Sequence, residues 1–256
     1  MTTRARLATV VAAVLVLAGA TSASAQTSQP TWCTGHANIG IVGTSAETGY
    51  GTTGYSSSTD TYAPTVYGWV TRFSNSVHAQ WGTATHDYAH NGAMASDYLP
   101  GGRWSGTTGA TTDMATYSPD LVLVDLGGNE FWSQVDPATF QTNLTAVITN
   151  IKAARPGVTI LMSIYARLHW APNQYTNPPN SPQKWTWDQY ATVIYNTAVA
   201  QQTALIDMRQ YVPDAEASPM TNPTVWNSDG IHLNDAGNLA EYGGWWGWVS
   251  SLASIC

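Results

Sequence analysis

The chain has 256 residues, with 9 Lys+Arg against 16 Asp+Glu for a net charge of -7, and only 10% of its residues are charged. That balance excludes a basic surface able to neutralise phosphates, and so excludes nucleic acid as a partner. The 43% hydrophobic content excludes disorder, and the length suits one domain rather than two small ones.

The first element in chain order is a leader. Arg4 and Arg6 precede an apolar stretch, Leu7 to Ala20, followed by small residues through Ala25. This predicts a secretory signal over 1–25, cut after Ala25, and a mature domain over 26–256 exported from the cell. The apolar stretch is too short for a spanning anchor, so no stable membrane insertion is expected. Losing Arg4 and Arg6 takes the charge from 9 minus 16 to 7 minus 16, or -9. Cys33 and Cys256 are the two cysteines. In an exported chain an even pair suggests a disulfide joining the ends, worth at most roughly 4–5 kcal/mol by chain entropy. Two free or intermolecular thiols are the alternative. Two such distant thiols without a local His cluster do not suggest zinc.

Asn38 to Gly43 reads as a buried strand running into a tight loop. Tyr62 to Phe73 places Val66, Trp69, Val70 and Phe73 at helical spacing. Leu121 to Val124 is a stronger buried strand, closed by Gly127-Gly128. Phe140, Leu144, Val147, Ile148 and Ile151 form an amphipathic helix stopped by Pro156-Gly157. Val158 to Ile164 is a further strand. Tyr165 to Lys184, with Pro172, Pro178, Pro179 and Pro182, is a long loop. Trp187 to Ala200 reads as helix, Ala204 to Met208 as strand, and Leu239 to Leu252 as a closing helix. Alternating strands and helices predict an α/β sandwich with a parallel sheet. Ligands in such sheets sit beyond the carboxyl ends of the strands.

Unusual polar residues follow three of those ends. Ser45 follows the first strand, Asn129 follows Gly127-Gly128, and Asp229 and His232 stand three residues apart near the C-terminus. A serine is a poor nucleophile unless a base takes its proton, and a carboxylate that orients an imidazole supplies that base. An Asn amide and a backbone N–H such as that of Gly92 can receive an oxyanion. Taken singly, each is equally ordinary cap or turn chemistry. No Gly-x-Ser-x-Gly elbow surrounds any serine.

Together, Gly43-Thr44-Ser45, Asn91-Gly92-Ala93, Gly127-Gly128-Asn129 and Asp229-x-x-His232 resemble the four blocks of the SGNH/GDSL hydrolases, in order, across nearly the whole mature chain. The resemblance implies a three-layer α/β/α sandwich with a central parallel sheet, flavodoxin-like, and ester hydrolysis. By that likeness Ser45 is the nucleophile and first oxyanion donor, Gly92 and Asn129 are the other donors, His232 is the base and Asp229 orients it. No metal or cofactor is required. Thr44 stands where the family has Asp, and Glu130 follows Asn129 where the family often has Asp.

The substrate expected is a small-molecule or polysaccharide ester, with short acetyl groups on carbohydrate favoured and the chain acting as a monomer. Loops rich in Tyr, Trp, Asn and Thr and poor in Leu and Phe underlie that choice. The 12 Trp include Trp170, Trp185, Trp187, Trp245, Trp246 and Trp248, whose rings suit either sugar stacking or core packing. Arg167 suits an acidic substrate group or a surface carboxylate. A lipase or phospholipase on longer chains, and a non-catalytic carbohydrate-binding protein of the same fold, are the alternatives.

Overall fold

The computed structural model describes residues 31–170, 182–213, 224–227 and 229–254. The leader 1–25, Pro172, Tyr175, Pro178 and Pro179 of the Pro-rich loop, and Cys256 lie outside the described residues.

Five strands form one sheet: β1 (Asn38–Val42), β2 (Ala84–Asp87), β3 (Leu121–Val124), β4 (Thr159–Ile164) and β5 (Ala204–Asp207). Their order is β2-β1-β3-β4-β5 and every pairing is parallel. That is the flavodoxin-like order, whose switch point lies between β1 and β3. The register follows the pleat. Leu121 and Leu123 pack on one face with the helices α1 (Thr31–Thr34), α3 (Trp69–Trp81) and α8 (Asp235–Ser254). Val122 and Val124 point to the other, against α4 (Ser105–Tyr117), α6 (Pro137–Ala154) and α7 (Trp187–Gln201). Buried on both faces, β3 needs an unbroken apolar run, which its sequence is.

Local chemistry sets the helix limits. Pro137 stands at the first turn of α6, and Asp136 Oδ1 accepts from Ala138 N at 2.8 Å. Asn234 Oδ1 accepts from Ala236 and Gly237 N, so α8 starts before the predicted Leu239. The expected Tyr62–Phe73 helix is displaced. Pro64 and Gly68 interrupt its first half, Val66 is 71% exposed, and the helix runs instead from Trp69 to Trp81. Two elements carry no sequence signal of their own. β2 is an edge strand of polar residues, and α4 is a Gly/Thr-rich helix with few apolar positions.

The chain's described start meets its end. Trp32 Nε1 in α1 donates to Val249 O of α8 at 3.3 Å, which sets Cys33 beside the closing helix. No helix among the described residues is long and apolar enough to cross a membrane.

Candidate active site

The turn after β1 presents Ser45. Thr44 caps α2 (Ser45–Thr48), with its Oγ1 accepting from Ala46 N at 3.4 Å and its own N–H donating to Glu47 Oε2 at 2.6 Å. Thr44-Ser45-Ala46-Glu47 is therefore a capping box, legible in the sequence as T-x-x-E. Gly43 must lack a side chain, because a Cβ there would meet Glu47 Cγ at 2.2 Å. The buried Tyr98 hydroxyl accepts from Gly43 N at 3.0 Å and pins the same turn. Ser45 opens the helix with its hydroxyl held against the base, and it is 8% exposed.

His232 and Asp229 come from the loop before α8. His232 Nε2 lies 2.8 Å from Ser45 Oγ, and His232 Nδ1 lies 2.7 Å from Asp229 Oδ2. Asp229 Oδ1 accepts from the backbone N–H groups of Ile231 and His232 at 3.0 and 3.1 Å. Burial pushes the Asp229 carboxyl up, but the hydrogen bond and charge of His232 and the two N–H groups outweigh it and hold it below the usual range. With the ring proton on Nδ1, Nε2 is free to accept the serine proton. The Tyr50 ring packs on the imidazole, centroids 4.4 Å apart.

Asn129 and Gly92 bring amide donors to the same cleft. Gly127, at φ +123°, turns the chain from β3 into α5 (Gly128–Trp132); a Cβ there would press on Phe140 and Ile194. Asn129 Nδ2 donates to Ala93 O at 2.8 Å with one of its two hydrogens. The backbone N–H groups of Ser45 and Gly92 take no partner among the described residues. Arg103 donates to Gly92 O at 2.7 Å and pairs with Asp97 at 2.6 Å, fixing the Gly92 peptide. All five residues read from the sequence, Ser45, Gly92, Asn129, Asp229 and His232, thus stand at the carboxyl end of the sheet. Ser45 and Asn129 flank its switch point.

Two hollows meet at Ser45. The inner one has a volume of about 20 Å³ and is walled by Ala46, Gly128, Trp132, Leu168 and Ile231. The outer one is about 430 Å³ and is lined by Tyr50, Asp60, Asn91, Gly92, Arg103 and Ser133 among others.

Glu130 has a structural task. Its Oε1 accepts from Ala95 N at 2.6 Å, linking α5 to the turn that follows Gly92. It is 2% exposed, and burial pushes its carboxyl up to about 7 against that hydrogen bond. A raised acid stabilises the fold fully below its unfolded value near 4.5, and the contribution is lost as pH rises through about 7. Melting temperature should therefore decline between pH 5 and pH 8. Asp87, pushed by burial up to about 8, adds a decline of the same sign, so Glu130→Gln, which keeps the acceptor, should make the slope shallower without removing it; an equally steep decline in the variant assigns the slope elsewhere.

The tryptophans resolve towards packing. All twelve are described and none is exposed; Trp32, Trp69, Trp226 and Trp245 are among the largest fully buried side chains. Trp132 is the one that walls the inner hollow, stacked on Trp170 at 5.6 Å. Arg167 reaches Asp188 at 3.3 Å, a carboxylate 61% exposed, so that pair contributes little. Sequence reasoning missed Glu47, Tyr50, Tyr98 and Arg103, of which only Glu47 carried a local signal.

Residues 42–240 match the model of the GDSL-like lipase/acylhydrolase family. No curated protein matches the chain. Similar solved structures include a carbohydrate acetylesterase from Sinorhizobium meliloti (15% identity, 86% of this chain and 100% of that one, TM-score 0.63). The M. smegmatis aryl esterase is similar at 16% identity, over 86% and 100% of the two chains, with TM-score 0.61. A variant of an acetyl-xylooligosaccharide esterase from Geobacillus is similar at 15%, over 83% and 94%, with TM-score 0.58. At these identities the likeness is one of fold.

Proposed function

The chain belongs to the GDSL-like lipase/acylhydrolase family and is a carboxylic ester hydrolase, and from that premise we propose that it removes short acyl groups, acetyl above all, from carbohydrate through Ser45, His232 and Asp229. The observation that carries this reading is the hydrogen-bonded row from Asp229 through His232 to Ser45, opening on a hollow of only about 20 Å³.

His232 Nε2 takes the Ser45 proton as Oγ attacks the ester carbonyl. The carbonyl oxygen becomes an oxyanion held by the N–H groups of Ser45 and Gly92 and the second Asn129 hydrogen. His232 then returns the proton to the leaving alcohol oxygen, and the acyl–Oγ ester remains. Water attacks that ester and gives its proton to His232; the acyl–Oγ bond then breaks, the carboxylic acid leaves, and His232 returns the proton to Oγ, restoring Ser45. Asp229 stays ionised and holds the imidazole in the productive tautomer.

The inner hollow gives the acyl group about the room of one or two waters, which suits a methyl and not a long chain. The outer hollow offers the alcohol side carboxylate, guanidinium, amide and hydroxyl groups, which suits a polyhydroxy leaving group. The similar acetylesterases act on carbohydrate by their names, which supports the same class here. A lipase groove would add roughly 0.8 kcal/mol, about fourfold in kcat/KM, per methylene. On p-nitrophenyl esters the expected profile is the reverse, highest at acetate and falling beyond butyrate. Preference for palmitate would transfer the chain to the lipase reading.

Export with loss of 1–25 and a Cys33–Cys256 bridge belong to the same proposal. The contact of Trp32 with Val249 supports the bridge by bringing α1 to the closing helix. The intact mass of the exported protein tests both: it should correspond to a chain starting at Gln26 and lacking two hydrogens. A retained leader, or two alkylatable thiols, contradicts it.

A further inference from the structure

Three carboxylates converge in the core behind the Ser45 turn. Glu47 comes from α2, Asp125 from the segment after β3 and Glu241 from α8, and one oxygen of each lies within 4.8 Å of the others. Glu47 and Glu241 are each 1% exposed and Asp125 is 5% exposed. Glu47 Oε1, Asp125 Oδ2 and both oxygens of Glu241 make no hydrogen bond of good geometry, the Trp245 indole being the polar group beside Glu241. None of the ion pairs within the described residues reaches them. Buried carboxylates are ordinarily paired, hydrogen-bonded or bound to a metal, because an uncompensated charge in the core is strongly unfavourable.

We infer that Glu47, Asp125 and Glu241 hold one hard divalent cation. Three carboxylates and no sulfur or imidazole select Ca²⁺, Mg²⁺ or Mn²⁺ over softer metals. Oxygens around Ca²⁺ lie about 2.3–2.6 Å from the ion, so two of them stand at most about 5 Å apart, which covers the observed spread. Mg²⁺, at about 2.1 Å, would need the oxygens within about 4.2 Å. The four oxygens without such a bond are ready ligands. Asp125 also borders the inner hollow at Ser45, which gives an ion a way in. The cation would tie together α2 with Ser45, the segment leading to Asn129, and α8, which follows His232. Its task is to brace the three elements, and it takes no step in ester hydrolysis.

The test uses the mature protein with its cysteines unreduced, refolded from denaturant separately in EDTA, CaCl₂, MgCl₂ and MnCl₂. Metal content is read by mass spectrometry after desalting, and melting by calorimetry. The expected result is about one equivalent of metal per chain and a melting temperature about 5–10 °C above that in EDTA for at least one of the three ions. Glu241→Gln should lose both the bound metal and the metal-dependent shift, which separates this site from loose binding on an acidic surface. Identical melting in all four buffers with no retained metal overturns the inference, and so does a Glu241→Gln protein that keeps the shift. If that variant does not fold, the wild-type buffers alone decide.

Discussion

Replacing Ser45 by alanine is expected to lower kcat for p-nitrophenyl acetate by about 10⁵- to 10⁶-fold. The argument is one of bond formation. Without Oγ no acyl-enzyme forms, and His232 can only assist water, which the site holds less well. The hydroxyl bonds the His232 side chain, Nε2 at 2.8 Å, so its removal leaves a polar atom facing the cleft and not a hole in the core. Stability should change by less than about 1 kcal/mol, as for other sites away from core packing. The variant should also fail to react with a fluorophosphonate probe that labels the parent. Hydrolysis at the parent rate would falsify the assignment. Asn129→Ala falls lower on the same scale, about 10²- to 10³-fold, because Ser45 and Gly92 N–H groups still face the oxyanion.

Asp229→Asn is the second large effect, about 10⁴-fold in kcat. Oδ1 of Asp229 accepts from two backbone N–H groups, so an asparagine there keeps its oxygen on that side. Its NH₂ then faces His232 Nδ1, where Oδ2 stood at 2.7 Å. Two donors cannot share that contact, so the ring proton moves to Nε2 and the lone pair needed for Ser45 is gone. KM should change little, since Asp229 is not among the residues lining either hollow. A loss below tenfold would mean that another group orients the ring.

The blocks around Ser45 and Asn129 were legible because each sits at a strand end with little freedom. Gly43 cannot bear a Cβ beside Glu47, and Gly127 needs its positive φ. The apolar runs of β1, β3 and β4 were equally plain, since both their faces are buried. β2 and α4 were not, because an edge strand of Ala-Thr-His-Asp and a helix of Gly and Thr gain their structure from neighbours rather than from their own pattern. The Tyr62–Phe73 helix went astray for the opposite reason: Val66 kept the spacing but Pro64 and Gly68 broke the backbone. The Trp excess gave no sign of direction, since the same ring suits a sugar or a core.

The sequence by itself determined the layer order, the parallel sheet and the residue types of the candidate site, because hydrophobic period, glycine placement and block order are all local properties of the chain. Only the tertiary structure decided that Ser45 and His232, 187 residues apart, meet at 2.8 Å. It alone sized the hollow beside them, turned the tryptophans inward and gathered Glu47, Asp125 and Glu241 into one buried cluster. These depend on how helices from distant parts of the chain pack on a common sheet, and no local pattern records that distance.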